Sequence, residues 1–198
     1  MKTSLVSTSG KVSVKAVAES AMLIALAFIL SSFAVFKMPS GGSVTIGSMI
    51  PIMLVSLKYP FGWSLTVAMC YSILQMMQSF YAPPTDTLIY YALMIALDYV
   101  LAFSVLCLAG PIVKMLGNKS ALRVRLMIAT VICFGLRFLC HFVSGIIIWG
   151  VYAPKGQPVW LYSLIYNGTY MSLEAVISGC ILFFAGEKLL DIFIGERS

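Results

Sequence analysis

The stretch that decides the fold is residues 87–113, TLIYYALMIALDYVLAFSVLCLAGPIV, which carries a single charged side chain, Asp98. A helix needs about 20 predominantly apolar residues to cross a bilayer, because every backbone polar group must be satisfied inside the lipid. The stretch is longer than that, so it predicts a membrane-spanning helix with one carboxylate within it. Five further apolar runs predict spans at roughly 16–36, 44–58, 62–80, 122–150 and 159–186.

The composition of the whole chain agrees with this interpretation. Of its 198 residues 61% are hydrophobic and 10% are charged, with a mean hydropathy of +0.99. Soluble domains carry roughly 25% charged residues, so this chain has too few to cover a water-exposed surface. We predict an all-α fold: an integral membrane bundle of six transmembrane helices in a single domain, residues 1–198. Short loops leave no room for a second domain.

Positive charge is distributed unevenly between the two predicted sides of the membrane. Of the 13 lysines and arginines, ten fall on one side: Lys2, Lys11, Lys15, Lys58, Lys114, Lys119, Arg123, Arg125, Lys188 and Arg197. Only Lys37 and Lys155 fall on the other side. By the positive-inside rule both termini are predicted to be cytoplasmic. The net charge of +6 is thereby explained as an orientation signal, and we expect no nucleic-acid partner.

A few polar side chains lie within the predicted spans, where such groups usually face the interior of the bundle. Counting about 1.5 Å per residue from the outer ends of the spans places Asp98, His141 and Asn167 within about 5 Å of one level. They come from three different helices. Their shared depth predicts a small-molecule pocket that opens outward.

Aromatic residues accompany these polar groups. His141, Gly145 and Trp149 are spaced four residues apart and share one helix face, and Tyr162 lies above Asn167. A ring beside a carboxylate suits a flat organic cation, and an amide suits the edge of a heteroaromatic amine.

Two other intramembrane charges and a row of small residues are interpreted as structural. Arg137 and Glu174 lie about one turn deeper, and we predict an ion pair between them that braces the last two spans. Ala18, Ala21 and Ala25 form a stripe on the first helix that lets another helix approach closely. The sequence leaves open whether that helix belongs to this chain or to another subunit.

Other features limit the chemistry. The segment 41–45, GGSVT, is expected to be a flexible external loop that could cover the pocket. The five cysteines lie in apolar runs without C-x-x-C spacing, so no metal site is expected. The chain has no G-x-x-x-x-G-K-[ST] motif, so energy for any transport must come from a partner or an ion gradient.

One part of the chain resembles a known family. Residues 141–149 read HFVSGIIIW, followed by YAPKG at 152–156, YSL at 162–164 and NG at 167–168. This run is similar to that of the thiamine-specific S components of bacterial energy-coupling factor (ECF) transporters. ESA at 19–21 with ALAF at 25–28, and IPI at 50–52 with SL at 56–57, resemble the first two helices of the same family.

The resemblance implies a six-helix protein of the bacterial cell (cytoplasmic) membrane that crosses it several times. Such a protein captures thiamine from outside and delivers it with a transmembrane coupling subunit and two ABC-type ATPases; it is not an enzyme and has no cofactor. The family's binding residues carry over onto Asp98, Tyr99, His141, Gly145, Trp149, Tyr162 and Asn167. Its alanine motif, which contacts the coupling subunit, corresponds to Ala21 and Ala25.

The chain departs from the family pattern at three positions. Some members have glutamate where Asp98 stands, and some have lysine at Arg137. A tryptophan that caps the pocket in some members is missing here, where Gly42 falls near its position. Two alternatives therefore stay open: an S component for another vitamin or a thiamine precursor, and a small membrane enzyme that uses Asp98 and His141.

Overall fold

The structure, a computed structural model, describes residues 13–118 and 120–194. These contain six helical segments: α1 Val14–Ser32, α2 Ile50–Lys58, α3 Phe61–Gln78, α4 Leu88–Met115, α5 Leu122–Ile147 and α6 Val159–Ile194. Three of them, α1, α4 and α5, are long and apolar enough to cross a membrane by length and composition alone. The six-helix membrane fold predicted from the sequence is confirmed.

The connection between α1 and α2 differs from the prediction. The first span was expected to continue to residue 36, and the second to begin at 44. Instead, β1 Ala34–Lys37 and β2 Ser43–Thr45 form an antiparallel hairpin, with Phe36 opposite Val44. Gly41 and Gly42 thus lie in the loop that joins the two strands, and residues 43–45 form the second strand. Both glycines have positive φ angles, 93° and 89°, which allow the tight turn.

Helix α4 is irregular where it carries the predicted site residues. A π-helical segment spans Ile95–Leu101, and a 3₁₀ segment follows at Val105–Leu108. Segments of π-helix widen the helical turn and occur frequently at functional sites. Asp98 and Tyr99 both lie on this widened turn, so the local backbone determines where they enter the bundle.

Helix α2 lies at the centre of the core. Its residues from Ile50 to Leu57 are all buried. Helix α4 approaches it closely at Gly110, where a Cβ atom would lie 1.9 Å from the carbonyl oxygen of Ser56. The amide of Gly110 donates a hydrogen bond to the Ser56 side chain over 2.9 Å. The short second helix is therefore held on all sides by its longer neighbours.

Three helix ends meet at one face of the bundle. Lys58, the last residue of α2, contacts Glu19 in the second turn of α1 and the carbonyl of Phe193 at the end of α6. The start of α1 and the end of α6 therefore lie at the same face. Which side of the membrane this face occupies stays a prediction, because Lys2, Lys11, Lys119 and Arg197 lie outside the described residues.

Candidate functional site

A cavity of about 290 Å³ lies between the hairpin and helices α1, α3, α4, α5 and α6. Small-molecule sites occupy roughly 300–1,000 Å³, so the cavity is at the lower limit of that range, which suits a compact ligand. All seven side chains or backbones that the sequence proposed for the site line it: Asp98, Tyr99, His141, Gly145, Trp149, Tyr162 and Asn167.

Asp98 is the centre of the polar part of the cavity. Its carboxylate accepts hydrogen bonds from Ser144 Oγ at 2.6 Å and from Trp149 Nε1 at 3.0 Å, and His141 Nδ1 lies 2.9 Å from Oδ1. The contacts fix the carboxylate in one orientation and use most of its accepting capacity, which is about four lone pairs.

The same contacts orient the two aromatic groups beside Asp98. With Asp98 as the acceptor, a neutral His141 carries its proton on Nδ1 and keeps a lone pair on Nε2. Within the described residues, Nε2 of His141 is buried without a hydrogen-bond partner. The indole of Trp149 is held through its N–H group and stacks on Tyr152 with a ring distance of 6.3 Å. The arrangement fixes the rings of His141 and Trp149 beside the cavity.

Asn167 holds the wall of the cavity together. Its Nδ2 donates to the carbonyls of His141 and Ser163 at 3.2 and 3.1 Å, and its Oδ1 accepts from Tyr170 at 3.0 Å. The predicted donor and acceptor are thus occupied by the protein itself. Asn167 fixes the position of the His141 backbone, which places the imidazole.

Gly145 allows α5 and α6 to approach each other at this wall. A Cβ atom built on it would lie 2.1 Å from Ser163 Oγ, 2.9 Å from Ser163 Cβ and 2.9 Å from Asn167 Nδ2. Real Cβ atoms essentially never approach that closely. The glycine that the sequence placed in the site therefore acts through packing of the two helices.

A row of tyrosines on α6 extends the site beyond the predicted residues. Tyr162, Tyr166 and Tyr170 are spaced four residues apart and all line the cavity, with 5.6 Å between the first two rings and 6.4 Å between the last two. Only Tyr162 was proposed from the sequence. The spacing of four places all three on one helix face, and applying it from Tyr162 would have found the other two.

The hairpin is tied to this row of tyrosines. The amide of Ser40 donates to the hydroxyl oxygen of Tyr166 at 2.8 Å, and that hydroxyl donates to the carbonyl of Gly41 at 2.9 Å. A Cβ atom on Gly42 would lie 2.7 Å from the Tyr170 ring, and one on Gly41 would lie 3.1 Å from Tyr81. The position where some members of the resembled family carry a tryptophan is therefore in direct contact with a tyrosine ring and has no space for a side chain.

The predicted ion pair between Arg137 and Glu174 is wrong. Arg137 donates to the carbonyl of Ala102 at 3.1 Å and its guanidinium lies 4.0 Å from the centre of the Phe103 ring. Glu174 accepts from the amide and the hydroxyl of Thr45, the latter at 2.6 Å. Both side chains line the cavity. However, each contacts a different neighbour: the irregular helix α4 for the guanidinium, whose Nε finds no hydrogen-bond partner among the described residues, and the hairpin for the carboxylate.

Two further groups in the site gave no signal in the sequence. Ser144 is fully buried and holds Asp98. On the opposite wall, Ser31 of α1 donates to Gln78 Oε1 and accepts from Gln75 Nε2 of α3, both at 2.8 Å. Tyr99 is bonded to the same side of the cavity, because its hydroxyl donates a hydrogen bond to the carbonyl of Ser79, just after α3, at 2.6 Å.

The small-residue stripe lies on the outer surface. Ala18, Ala21 and Ala25 are exposed, whereas Ala16 and Ala27 of the same helix are buried. Among the described residues no other helix of the chain covers the stripe. Of the two alternatives that the sequence left open, the structure therefore supports a surface that faces outward, to lipid or to another subunit.

The described residues contain no group of three or more histidine, cysteine, aspartate or glutamate side chains that could hold a metal ion. The groups that line the cavity include the carboxylates of Asp98 and Glu174, the guanidinium of Arg137, the imidazole of His141 and several aromatic rings. Apolar helices that surround such a cavity define a multi-pass membrane protein that binds a small organic molecule.

Comparison with known proteins identifies the family. Residues 17–194 match the model of the family described as "Thiamine transporter protein (Thia_YuaJ)", and the chain belongs to this family. A thiamine transporter, ThiT, of Bacillus subtilis (strain 168) is 34% identical over 185 residues, which cover 87% of this chain and 92% of the relative. A ThiT of Lacticaseibacillus paracasei is 45% identical over 42 residues, 21% of each chain.

A solved structure supports the fold. The structure of ThiT from Listeria monocytogenes covers 90% of this chain and 97% of its own chain, with a TM-score of 0.71 at 20% sequence identity. At that identity the likeness shows the fold alone. Membership of a transporter family also decides against the alternative of a small membrane enzyme built on Asp98 and His141.

Proposed function

We propose that the chain is the thiamine-binding S component of an ECF-type importer and that it holds thiamine in the cavity beside Asp98. Thiamine carries a positively charged thiazolium ring and a neutral aminopyrimidine. The observation that carries the proposal is the carboxylate of Asp98, which three donors hold in place next to the indole of Trp149.

In this proposal the thiazolium ring stacks on Trp149 and its charge is balanced by Asp98. Cation–π attraction and charge pairing then act on the same ring, and both are stronger where water is excluded. The indole needs no reorientation on binding, because its N–H group is already fixed by the carboxylate. Preorganisation of this kind lowers the entropic cost of ordering the site.

The aminopyrimidine would be recognised by groups that the protein leaves free. Nε2 of His141 is an acceptor without a protein partner, so it can accept a hydrogen bond from the exocyclic amine. Tyr162 adds a second ring beside the cavity. Asn167 and Gly145 would act by fixing the wall, and Tyr99 by fixing α4 to the end of α3.

Delivery into the cell requires partners. The resemblance implies a transmembrane coupling subunit and two ABC-type ATPases, and the exposed face that contains Ala21 and Ala25 is our candidate for the docking surface. Small residues on an exposed helix face allow close approach of a partner helix within the bilayer.

Thermal unfolding of the purified chain across a panel of thiamine, thiamine phosphates, its two ring precursors and riboflavin tests the proposal. A ligand stabilises a protein by RT ln(1 + [L]/Kd), about 2.7 kcal/mol at a hundredfold excess over Kd, so a specific ligand gives a large shift of the midpoint. We expect the largest shift with thiamine. If another vitamin gives the largest shift and micromolar thiamine gives none, the assignment to thiamine is wrong.

A further inference from the structure

The guanidinium of Arg137 is a buried cation with more hydrogen-bond donors than the protein uses. The residue lines the cavity although it is only 6% exposed. Among the described residues, its Nη1 group donates to the carbonyl of Ala102, and its Nε–H group is buried without an acceptor. A guanidinium has five N–H donors, and a buried donor without an acceptor is destabilising. Arg137 therefore has donors left for an acceptor on a ligand.

The position of this guanidinium is fixed relative to His141. It lies 4.0 Å from the centre of the Phe103 ring, and the bond to Ala102, at 3.1 Å, holds it to α4. Arg137 stands four residues before His141 on α5, so the two side chains share a helix face and are about 6 Å apart along the helix axis. Nε2 of His141 is an acceptor without a partner among the described residues. One face of α5 thus presents an acceptor and, one turn nearer the start of the helix, a donor.

The neighbouring polar groups of α6 are engaged by the protein. Asn167 donates to the carbonyls of His141 and Ser163, and Tyr170 donates to Asn167. An acceptor on a ligand could gain a bond from these two residues only by breaking an existing one. From Arg137 it gains a donor without that cost.

The charged residues that line the cavity divide it into two ends. Besides the exposed Lys37 of the hairpin, they are Asp98, Arg137 and Glu174. Arg137 and Glu174 bring opposite charges to one end, which suits a neutral ring. The carboxylate of Asp98 beside Trp149 suits a cationic ring at the other end. Thiamine has one ring of each kind.

We propose that Arg137 is a specificity-determining residue for the pyrimidine ring of thiamine: its guanidinium donates a hydrogen bond to a ring nitrogen, while Nε2 of His141 accepts from the exocyclic amine. An amine next to a ring nitrogen is a donor next to an acceptor, which is the complement of His141 and Arg137. The inference rests on the proposed function, because it deepens the assignment of thiamine to this cavity. It also orients the ligand, with the thiazolium ring at Asp98 and the pyrimidine ring towards Arg137.

The test uses the carbocyclic analogue of thiamine, in which both ring nitrogens of the pyrimidine are replaced by C–H and the amine is kept. The ratio of its dissociation constant to that of thiamine is measured by titration calorimetry for the wild-type chain, Arg137→Met and the control Arg125→Met. Arg125 lies on the same helix, its Nε–H group is likewise buried without an acceptor among the described residues, and it does not line the cavity. The ratio separates the ring nitrogens from the general effect of removing a cation near a cationic ligand.

We expect a ratio of at least about ten for the wild-type chain, since hydrogen bonds to charged groups are among the stronger ones. In Arg137→Met the ratio should fall to within about twofold of one, and Arg125→Met should keep the wild-type ratio.

A second measurement needs no folded methionine variant. In the wild-type chain with isotope-labelled arginine, thiamine should move a side-chain N–H signal of Arg137 downfield, as happens when a proton enters a hydrogen bond. The carbocyclic analogue should not. The chain has four arginines, so the signals of Arg137 are identified by their absence from Arg137→Lys.

Three results would overturn the inference: a wild-type ratio close to one, a ratio in Arg137→Met as large as that of the wild type, or the same downfield shift with thiamine and with the analogue. The second of these would make Arg137 a group that only holds α4. Thiamine binding with a ratio close to one refutes the role of Arg137 and leaves the proposed function intact. If the wild-type chain does not bind thiamine, the proposed function is wrong and the inference is wrong with it.

Discussion

Gly145→Ala adds a single methyl group where α5 and α6 are in closest contact at the cavity. The new Cβ would lie 2.1 Å from Ser163 Oγ, which rotation of that side chain could relieve. It would also lie 2.9 Å from Ser163 Cβ, which no rotation moves away. The helices must therefore separate by several tenths of an ångström, and overpacking of this kind destabilises by about 1–3 kcal/mol.

The displacement would also change the binding site. Ser163 Oγ donates to the carbonyl of Phe142 at 2.8 Å and lies 3.2 Å from Asn167 Nδ2. Moving Ser163 and Asn167 shifts the backbone of His141, to which Asn167 is bonded. We expect thiamine affinity to fall by about tenfold, the equivalent of 1.4 kcal/mol, together with a lower midpoint of thermal unfolding.

Gly135→Ala is the matched control on the same helix. A Cβ atom there has nothing within 4 Å, so only the intrinsic helix preference changes. Alanine is favoured over glycine in a helix by up to about 1 kcal/mol, and we expect an unchanged or raised midpoint with unchanged affinity. Measuring both variants by thermal unfolding and by titration calorimetry tests the sign directly. If Gly145→Ala behaves like Gly135→Ala in both assays, the close approach of α5 and α6 does not shape the site.

Three other substitutions test separate parts of the cavity. Asp98→Asn removes the charge and turns an amide N–H donor towards groups that are themselves donors, so thiamine affinity should fall at least about a hundredfold by calorimetry. The exposed Asp86→Asn is the control and should change nothing. Glu174→Met removes the acceptor of the buried Thr45 amide, and the unfolding midpoint should fall by the equivalent of about 1–3 kcal/mol. An unchanged midpoint would contradict the anchoring of the hairpin. Gly42→Ala places a side chain at a positive φ and against the Tyr170 ring, which should displace the hairpin. Thiamine should then dissociate faster in stopped-flow fluorescence. A dissociation rate equal to that of the wild type would show that the hairpin does not retain the ligand.

The sequence predicted six helices and seven of the residues around the cavity. Apolar runs of about 20 residues identify the spans, counting from their outer ends singled out Asp98, His141 and Asn167, and Tyr99 came from the family resemblance alone. The spacing of four placed His141 and Gly145 on one face of α5, whereas Trp149 lies beyond the end of that helix at Ile147. The hairpin was missed for a related reason. Residues 33–37, FAVFK, continue the apolar run of α1, and a short apolar run does not distinguish helix from strand.

The error over Arg137 and Glu174 shows what depth alone leaves undetermined. Counting residues from the end of a span fixes height in the membrane, but not the direction of a side chain or the partners that compete for it. Arg137 donates a hydrogen bond to the carbonyl of Ala102, where α4 changes from π-helix to α-helix. No sequence pattern indicated the π-helical segment of α4, so the hydrogen-bond partner of Arg137 could not be predicted.

Unfilled hydrogen-bonding capacity separates the residues that can contact a ligand from those that build the wall. Asn167 and Tyr99 have their polar groups engaged by the protein, so a ligand could gain a bond from them only by breaking an existing one. His141 retains a free acceptor, and Asp98 retains accepting capacity beyond its three donors. Beside Asp98 and His141 a ligand therefore meets acceptors, which complement an amino group next to a cationic ring. Selection among vitamins should follow from this imbalance, because an acceptor-rich molecule would leave the remaining accepting capacity of Asp98 and His141 without a donor.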